Sequence, residues 1–303
     1  MKFKKIEYIN RKTNKKEVEN VPAENFMKFL YYNPFGKLAL NAIIKRKFLS
    51  SWYGKNMDSK KSCEKIEDFV KNNSINMKES IKKINEFTSF NDFFIRKLKD
   101  GARKIDQSET ALVSPADGKI FAINNFKGLD KFFVKGQEFS MKEFLNDEKL
   151  AKQFENGTFL IIRLAPADYH RYHFPLNGKI SENKEINGYY YSVSPHAIRT
   201  NFKIFCENKR EYSILETKEF GDVCIVEVGA TMVGGIKQTY KENSFVKKGD
   251  EKGYFFFGGS TVILLFEKDK IQIDEDILKN SSNGIETKIF MGEHIGEKKA
   301  MLF

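Results

Sequence analysis

The feature that most restricts the fold is a change of hydrophobic period near residue 105. Beyond it, apolar residues come in short β-branched or aromatic runs: Leu112-Val113, Lys119 to Ala122, Thr158 to Leu164, Tyr189 to Val193, Val223 to Val228 and Tyr254 to Phe266. Runs of that length and composition read as strands. Turn chemistry separates them at Ala116-Asp117-Gly118, Asn177-Gly178, Asn187-Gly188, Gly234-Gly235 and Lys248-Gly249-Asp250. The second part of the chain therefore reads as a mostly antiparallel β domain.

Before that point the period is helical. Phe26, Phe29 and Leu30 recur at i, i+3 and i+4; Ile66, Phe69 and Val70 repeat the stripe, as do Met77, Ile81 and Ile84, and then Phe90, Phe93, Phe94 and Leu98. Residues 1–21 are basic and polar, with an alternation (Phe3, Ile6, Tyr8) that suits a small hairpin or a loose segment. The expected fold class is α+β: a basic, helical N-terminal segment over residues 1–104, then the β domain over 105–303.

With 41% hydrophobic and 14% aromatic residues the chain can bury a sizeable core. A net charge of +11 favours an anionic partner, whether nucleic acid, an acidic membrane surface or an acidic substrate. No interleaved aromatic and basic motif of the RNA-binding kind occurs, so nucleic acid is not expected. Cys63, Cys206 and Cys224 are far apart, which argues for a reducing compartment and against a zinc site or disulfide framework. The N-terminus has no apolar core of signal-peptide length. No stretch approaches the roughly 18 apolar residues that span a bilayer, so an intracellular protein is expected. The run from Asn33 to Tyr53 combines apolar residues, Lys45-Arg46-Lys47 and the only tryptophan, Trp52. That composition suits a helix lying among anionic headgroups. Taken alone, packing on the β domain explains it better.

Chemistry points to few residues. Of four histidines, two lie together at positions 170 and 173 in Asp168-Tyr-His-Arg-Tyr-His-Phe-Pro. As a metal site the pair lacks a third ligand; as proton carriers at neutral pH the two are better candidates. Asp117 by itself is explained as turn chemistry and Ser260 as a bulge residue. Together, Asp117, His173 and Ser260 have the makings of a base-activated serine. Ser260 does not sit in a Gly-x-Ser-x-Gly elbow, because Gly258 and Gly259 are both on its N-terminal side and a strand follows. The two glycines bare the Gly259 carbonyl. An activated Ser260 oxygen can attack it, and β-elimination of the resulting ester leaves a dehydroalanine that hydrolyses to a pyruvoyl group.

From about residue 85 onward the chain resembles the phosphatidylserine decarboxylases, a pyruvoyl-dependent family. The resemblance rests on Phe90-Asn-Asp-Phe-Phe-Ile-Arg-Lys-Leu with Gly101-Ala-Arg, Val113-Ser-Pro-Ala-Asp-Gly-Lys-Ile, Tyr169-His-Arg-Tyr-His-Phe-Pro and Tyr191-Ser-Val-Ser-Pro. Val228-Gly-Ala-Thr-Met-Val-Gly-Gly-Ile and Phe257-Gly-Gly-Ser-Thr-Val complete the set, in order and at plausible spacing. Lys104 follows Gly-Ala-Arg where proline is more usual.

The resemblance implies that Asp117, His173 and Ser260 form a self-cleavage triad. Cutting between Gly259 and Ser260 would give a β chain of residues 1–259 and an α chain of residues 260–303. Ser260 would become the pyruvoyl cofactor, with no metal, and take the amine of phosphatidylserine as a Schiff base. Loss of CO₂ would then yield phosphatidylethanolamine. His170 is implied as the acid/base of that second reaction and Ser192 as a substrate-holding residue. Arg96, Arg163 and Arg199 are considered as phosphodiester ligands without an assignment. A diacyl substrate reverses the reading of residues 23–55 in favour of peripheral attachment at an anionic membrane, on the cytoplasmic face, and a homodimer is allowed for. The rival readings are a pyruvoyl enzyme of a small amino acid, a non-catalytic β-barrel with a basic face, and an ordinary serine hydrolase.

Overall fold

Strand Thr158–Leu164 explains why so many runs in this chain are continuously apolar. Phe159 and Ile161 enter one hydrophobic core, while Leu160, Ile162 and Leu164 enter another. Strands Gly221–Val228 and Ser260–Phe266 divide their side chains in the same way. The sheet they build is buried on both faces, so alternation of side chains does not become alternation of polarity.

The computed structural model describes residues 5–20, 24–33, 35–36, 54–124, 139–230, 235–258 and 260–300. In chain order the strands are β1 (Glu7–Asn10), β2 (Lys15–Val18), β3 (Ala111–Val113), β4 (Gly118–Asn124), β5 (Thr158–Leu164), β6 (Arg171–His173), β7 (Gly178–Ile180), β8 (Lys184–Ile186) and β9 (Arg210–Thr217). There follow β10 (Gly221–Val228), β11 (Ile236–Gln238), β12 (Phe245–Val246), β13 (Glu251–Phe255), β14 (Ser260–Phe266), β15 (Ile271–Ile273), β16 (Glu286–Ile289) and β17 (His294–Lys298). An 11-stranded sheet runs β12-β7-β9-β10-β14-β5-β4-β16-β1-β2, with β8 also on β9. Two three-stranded sheets, β11-β13-β6 and β15-β17-β3, complete the strands. Every described pairing between these strands is antiparallel except β1 with β16. The protein is a mixed α and β structure with many antiparallel strands and few helices.

A helical N-terminal segment, expected from the sequence, is not what the structure has. The chain opens with the β1–β2 hairpin, whose Tyr8 lies opposite Glu286 of β16, so it extends the large sheet. Charge fixes it there. Arg163 of β5 donates to Glu286 at 2.9 and 2.6 Å and to Glu19, just after the hairpin, at 3.0 and 2.6 Å. The helices that follow are short: Glu24–Tyr32, Ile66–Asn72 and Phe90–Phe94. The Met77, Ile81, Ile84 stripe falls on two separate 3₁₀ turns, Met77–Glu79 and Ile84–Glu86, with Ser80 between them bridged to Leu98. Most of the basic stretch 33–55, with Lys45, Arg46, Lys47 and Trp52, lies outside the described residues.

Two strand expectations also change. Tyr189 to Val193 is not a strand. The Asn208 side-chain amide bonds both the Tyr191 N–H (2.9 Å) and its carbonyl (2.8 Å), occupying the backbone groups a ladder would use. Tyr254 to Phe266 is two strands in two sheets. β13 pairs with β6 and β11, whereas β14 lies centrally between β10 and β5. Residues 256–258 lead the chain out of β13 toward the other sheet.

Candidate active site

The passage from β13 to β14 is held from outside by the helix Phe90–Phe94. Ser89 caps its N-terminus through a hydrogen bond from the Asp92 N–H. The side-chain oxygen of Asn91, itself buried, accepts the Phe257 N–H at 3.1 Å. Asn91 is oriented in turn by donating to Asp58 at 2.7 Å. The Phe257 ring meets the edges of Phe90 and Phe94, each with centroids 5.0 Å apart. One residue later Gly258 has φ +144°, a conformation that favours glycine. Ser260 then enters β14 opposite Leu164, wholly buried.

The hydroxyl of Ser260 lies 3.3 Å from Nδ1 of His170. The other ring nitrogen, Nε2, is 3.0 Å from the Ala165 carbonyl. A carbonyl can only accept, so Nε2 carries the proton and Nδ1 is left to accept from Ser260. Burial pushes the His170 pKa down to about 3, which keeps the ring neutral. Its face stacks on Phe94 at 3.9 Å between centroids. The loop bearing His170 is pinned by Asp168, which accepts from the Ala165 N–H at 2.8 Å and from Lys119 at 2.9 Å.

His173, three residues on, has different company. It lies in β6, with Nδ1 3.0 Å from the Gly249 carbonyl and Nε2 3.4 Å from the Tyr169 hydroxyl. Burial lowers its pKa too, while the Gly249 carbonyl and the charges of Glu251 and Asp117 act the other way. Asp117, in the turn between β3 and β4, accepts from Arg103 through both Nε (2.9 Å) and Nη2 (2.6 Å) and from the Met291 N–H at 2.9 Å. No hydrogen bond joins Asp117 to His173 or His173 to Ser260; the aspartate reaches the histidine only through its field. Ser192 is half-buried, and its hydroxyl accepts the Ser194 N–H at 3.1 Å, the start of the helix Pro195–Thr200.

The structure thus brings Ser260 and His170 together, and puts Asp117 within electrostatic reach of His173. Residues that sequence reasoning left without a role are Asn91, Phe94, Arg103 and Asp168. Arg103 belongs to the Gly-Ala-Arg string and Asn91 to Phe-Asn-Asp-Phe-Phe, so the motifs contained them, but nothing local says which partner each would meet. Thr261 adds a buried hydroxyl without a partner directly after Ser260. A neutral histidine at the serine oxygen, a glycine-only conformation before it and an unsatisfied hydroxyl after it fit a carbonyl group formed at position 260. Among the described residues no three His, Cys, Asp or Glu side chains gather as metal ligands.

The family model described as Phosphatidylserine decarboxylase matches residues 90–297. The phosphatidylserine decarboxylase proenzyme of Fusobacterium nucleatum subsp. nucleatum is 63% identical over 299 residues, covering 99% of this chain and 100% of that protein. Proenzymes of the same name from Clostridium novyi and Clostridium tetani are each 50% identical over 293 residues, which is 97% of this chain and 99% and 98% of theirs.

Proposed function

The chain belongs to the phosphatidylserine decarboxylase family, and on that premise we propose that it is a proenzyme that cuts itself and then converts phosphatidylserine to phosphatidylethanolamine and CO₂. The cut falls between Gly259 and Ser260, giving a β chain of residues 1–259 and an α chain of residues 260–303. The pyruvoyl group that Ser260 becomes supplies an electron-accepting carbonyl for decarboxylation. The observation that carries this reading is the Ser260 hydroxyl held 3.3 Å from an unprotonated imidazole nitrogen, one residue past the glycine pair.

Within this scheme Asp117, His173 and Ser260 act in self-cleavage, and His170 is the acid/base of decarboxylation. What supports the division is electrostatic. Burial lowers the pKa of both rings, but His170 is held down at about 3, while at His173 the Gly249 carbonyl and the Glu251 and Asp117 charges oppose burial, which leaves His173 the ring better able to take up a proton. His170 stays neutral beside residue 260, where a proton must be handled once the serine is gone. One distance favours a second division, in which His170 also takes the proton of Ser260, since among the described residues it is the side chain within hydrogen-bond distance of that oxygen. Ser192 is proposed to hold substrate.

Residues 1–104 supply membrane attachment and 105–303 the catalytic domain, although the β1–β2 hairpin is part of the catalytic sheet and Asn91, Phe94 and Arg103 support the site. Phe29 and Phe35 are exposed on the N-terminal region, and the net charge of +11 suits an anionic surface. Among the described residues no helix is long and apolar enough to cross a membrane. A peripheral protein on the cytoplasmic face, in contact with anionic lipid, follows from this reading. Pairing of two copies as a homodimer is part of it, checked by sedimentation equilibrium.

Intact mass of the purified protein tests the function. Two chains are expected, the smaller starting with a pyruvoyl group; an active, uncut chain of 35.2 kDa refutes it. His173→Ala should stay uncut, whereas His170→Ala should be cut and release no CO₂. If His170→Ala stays uncut instead, the second division holds. Reversing the charges of Lys45, Arg46 and Lys47 should weaken sedimentation with anionic vesicles, and unchanged binding removes that stretch from the membrane contact.

A further inference from the structure

Among the described residues Arg96 is a buried cation with no counter-ion. It follows the helix Phe90–Phe94 by two residues and is only 7% exposed. Its Nη1 is enclosed without a hydrogen-bond partner. The guanidinium lies over the Phe93 ring, 5.1 Å from the centroid. Burial lowers its pKa, opposed by the negative charges of Asp117 and Asp168. A guanidinium does not give up its proton in a protein, so the charge stays and its lost hydration is uncompensated until an anion arrives.

The neighbouring arginines are already engaged. Arg163 is bound by Glu19 and Glu286, Arg103 by Asp117 and Glu79, and Arg171 by Glu251. The side chain of Arg199 lies outside what the structure describes. Arg96 also lies close enough to the reacting centre for its charge to act on His170. It extends from the helix that grips Phe257, and Phe94 of that helix stacks on His170, where the charge of Arg96 is felt.

We propose that Arg96 is the anion subsite of this active site and binds the phosphodiester of the phospholipid headgroup. The assignment rests on the function proposed above, whose substrate carries two anions. A guanidinium on the carboxylate would hold a charge that must disappear as CO₂ leaves, stabilising the ground state against the transition state. The phosphodiester keeps its charge throughout, so an ion pair to it anchors the headgroup at no cost to the chemical step.

The test compares wild type with Arg96→Gln and Arg96→Lys, after intact mass has established whether each is cut. Dihexanoyl phosphatidylethanolamine, which has the phosphodiester but no carboxylate, is titrated below its micellar concentration by calorimetry. KM and kcat are then measured with dihexanoyl phosphatidylserine. In Arg96→Gln the product Kd and the substrate KM should rise together by about tenfold or more, with kcat far less affected, and lysine should recover part of the loss. A rise in KM with an unchanged product Kd places Arg96 on the carboxylate and overturns the proposal; so does no change in either. If Arg96→Gln stays uncut, Arg96→Lys carries the test, and an unchanged product Kd there is equally fatal. Failure of wild type to cut or turn over sinks the functional reading instead, and the product titration, which needs no turnover, still decides Arg96.

Discussion

Acid should weaken the uncut protein through His170. The folded ring has a pKa of about 3 against an ordinary value of 6.5. Between those values the unfolded chain binds a proton that the folded chain refuses. Stability therefore rises with pH across that window and is lost as pH falls from 6.5 toward 3. At pH 5 the unfolded imidazole is almost fully protonated and the folded one almost fully neutral. The difference from pH 7.5 is roughly 1.5 pH units of proton affinity, or about 2 kcal/mol. The physical cause is enclosure: the ring is wholly buried, faces Phe94 and has its one proton directed at the Ala165 carbonyl. The assay is urea unfolding at pH 7.5 and 5.0 in a Ser260→Ala background, which keeps a single chain, with and without His170→Gln. The chain that keeps His170 should lose about 2 kcal/mol more on acidification than the chain without it. Equal losses in the two chains would refute the reasoning and mean that the ring is hydrated or protonated in the fold.

Three further outcomes are expected. Asn91→Ala removes the acceptor for the Phe257 N–H and should slow self-cleavage by about tenfold, read as the half-time of chain cutting on a denaturing gel; an unchanged half-time would detach the helix from the reaction. Gly258→Ala puts a side chain at φ +144°, which costs on the order of 1–3 kcal/mol, so the uncut chain should accumulate, and full cutting at the wild-type rate would show that this conformation is not needed. Glu19→Gln strips the buried Arg163 of one of its two carboxylates and should lower stability by about 2 kcal/mol, whereas Glu7→Gln in the exposed pair with Lys16 should cost less than about 1 kcal/mol; equal urea midpoints for the two variants would remove the case for the buried network.

Much of the site was legible as residue types and spacing. The glycine pair before Ser260, the two histidines and Asp117 in its turn are local facts, and each carries its chemistry wherever the chain places it. Geometry was another matter. Spacing of three between His170 and His173 does not say which ring meets Ser260. That depends on Asp168 and Lys119 shaping the loop before His170 and on Phe94 backing the ring from more than seventy residues away. Asp117 reads as the partner of a histidine, yet in the fold its oxygens are taken by Arg103.

The fold divides in the same way. Short β-branched and aromatic runs with turn residues between them marked most of the central strands of residues 105–303, but not the helices Met141–Leu145, Glu148–Gln153, Pro195–Thr200 and Glu275–Ser282 among them. Helical spacing marked Glu24–Tyr32, Ile66–Asn72 and Phe90–Phe94. Sheet membership was decided only by tertiary structure. Tyr254 to Phe266 has one β pattern throughout, but Tyr254 lies opposite Arg171 and Thr261 opposite Arg163, in different sheets. Pairing is a contact between distant segments and leaves no trace in either one alone. The break between those sheets falls where the sequence has two glycines and a serine, and there a buried hydroxyl is brought against a neutral histidine.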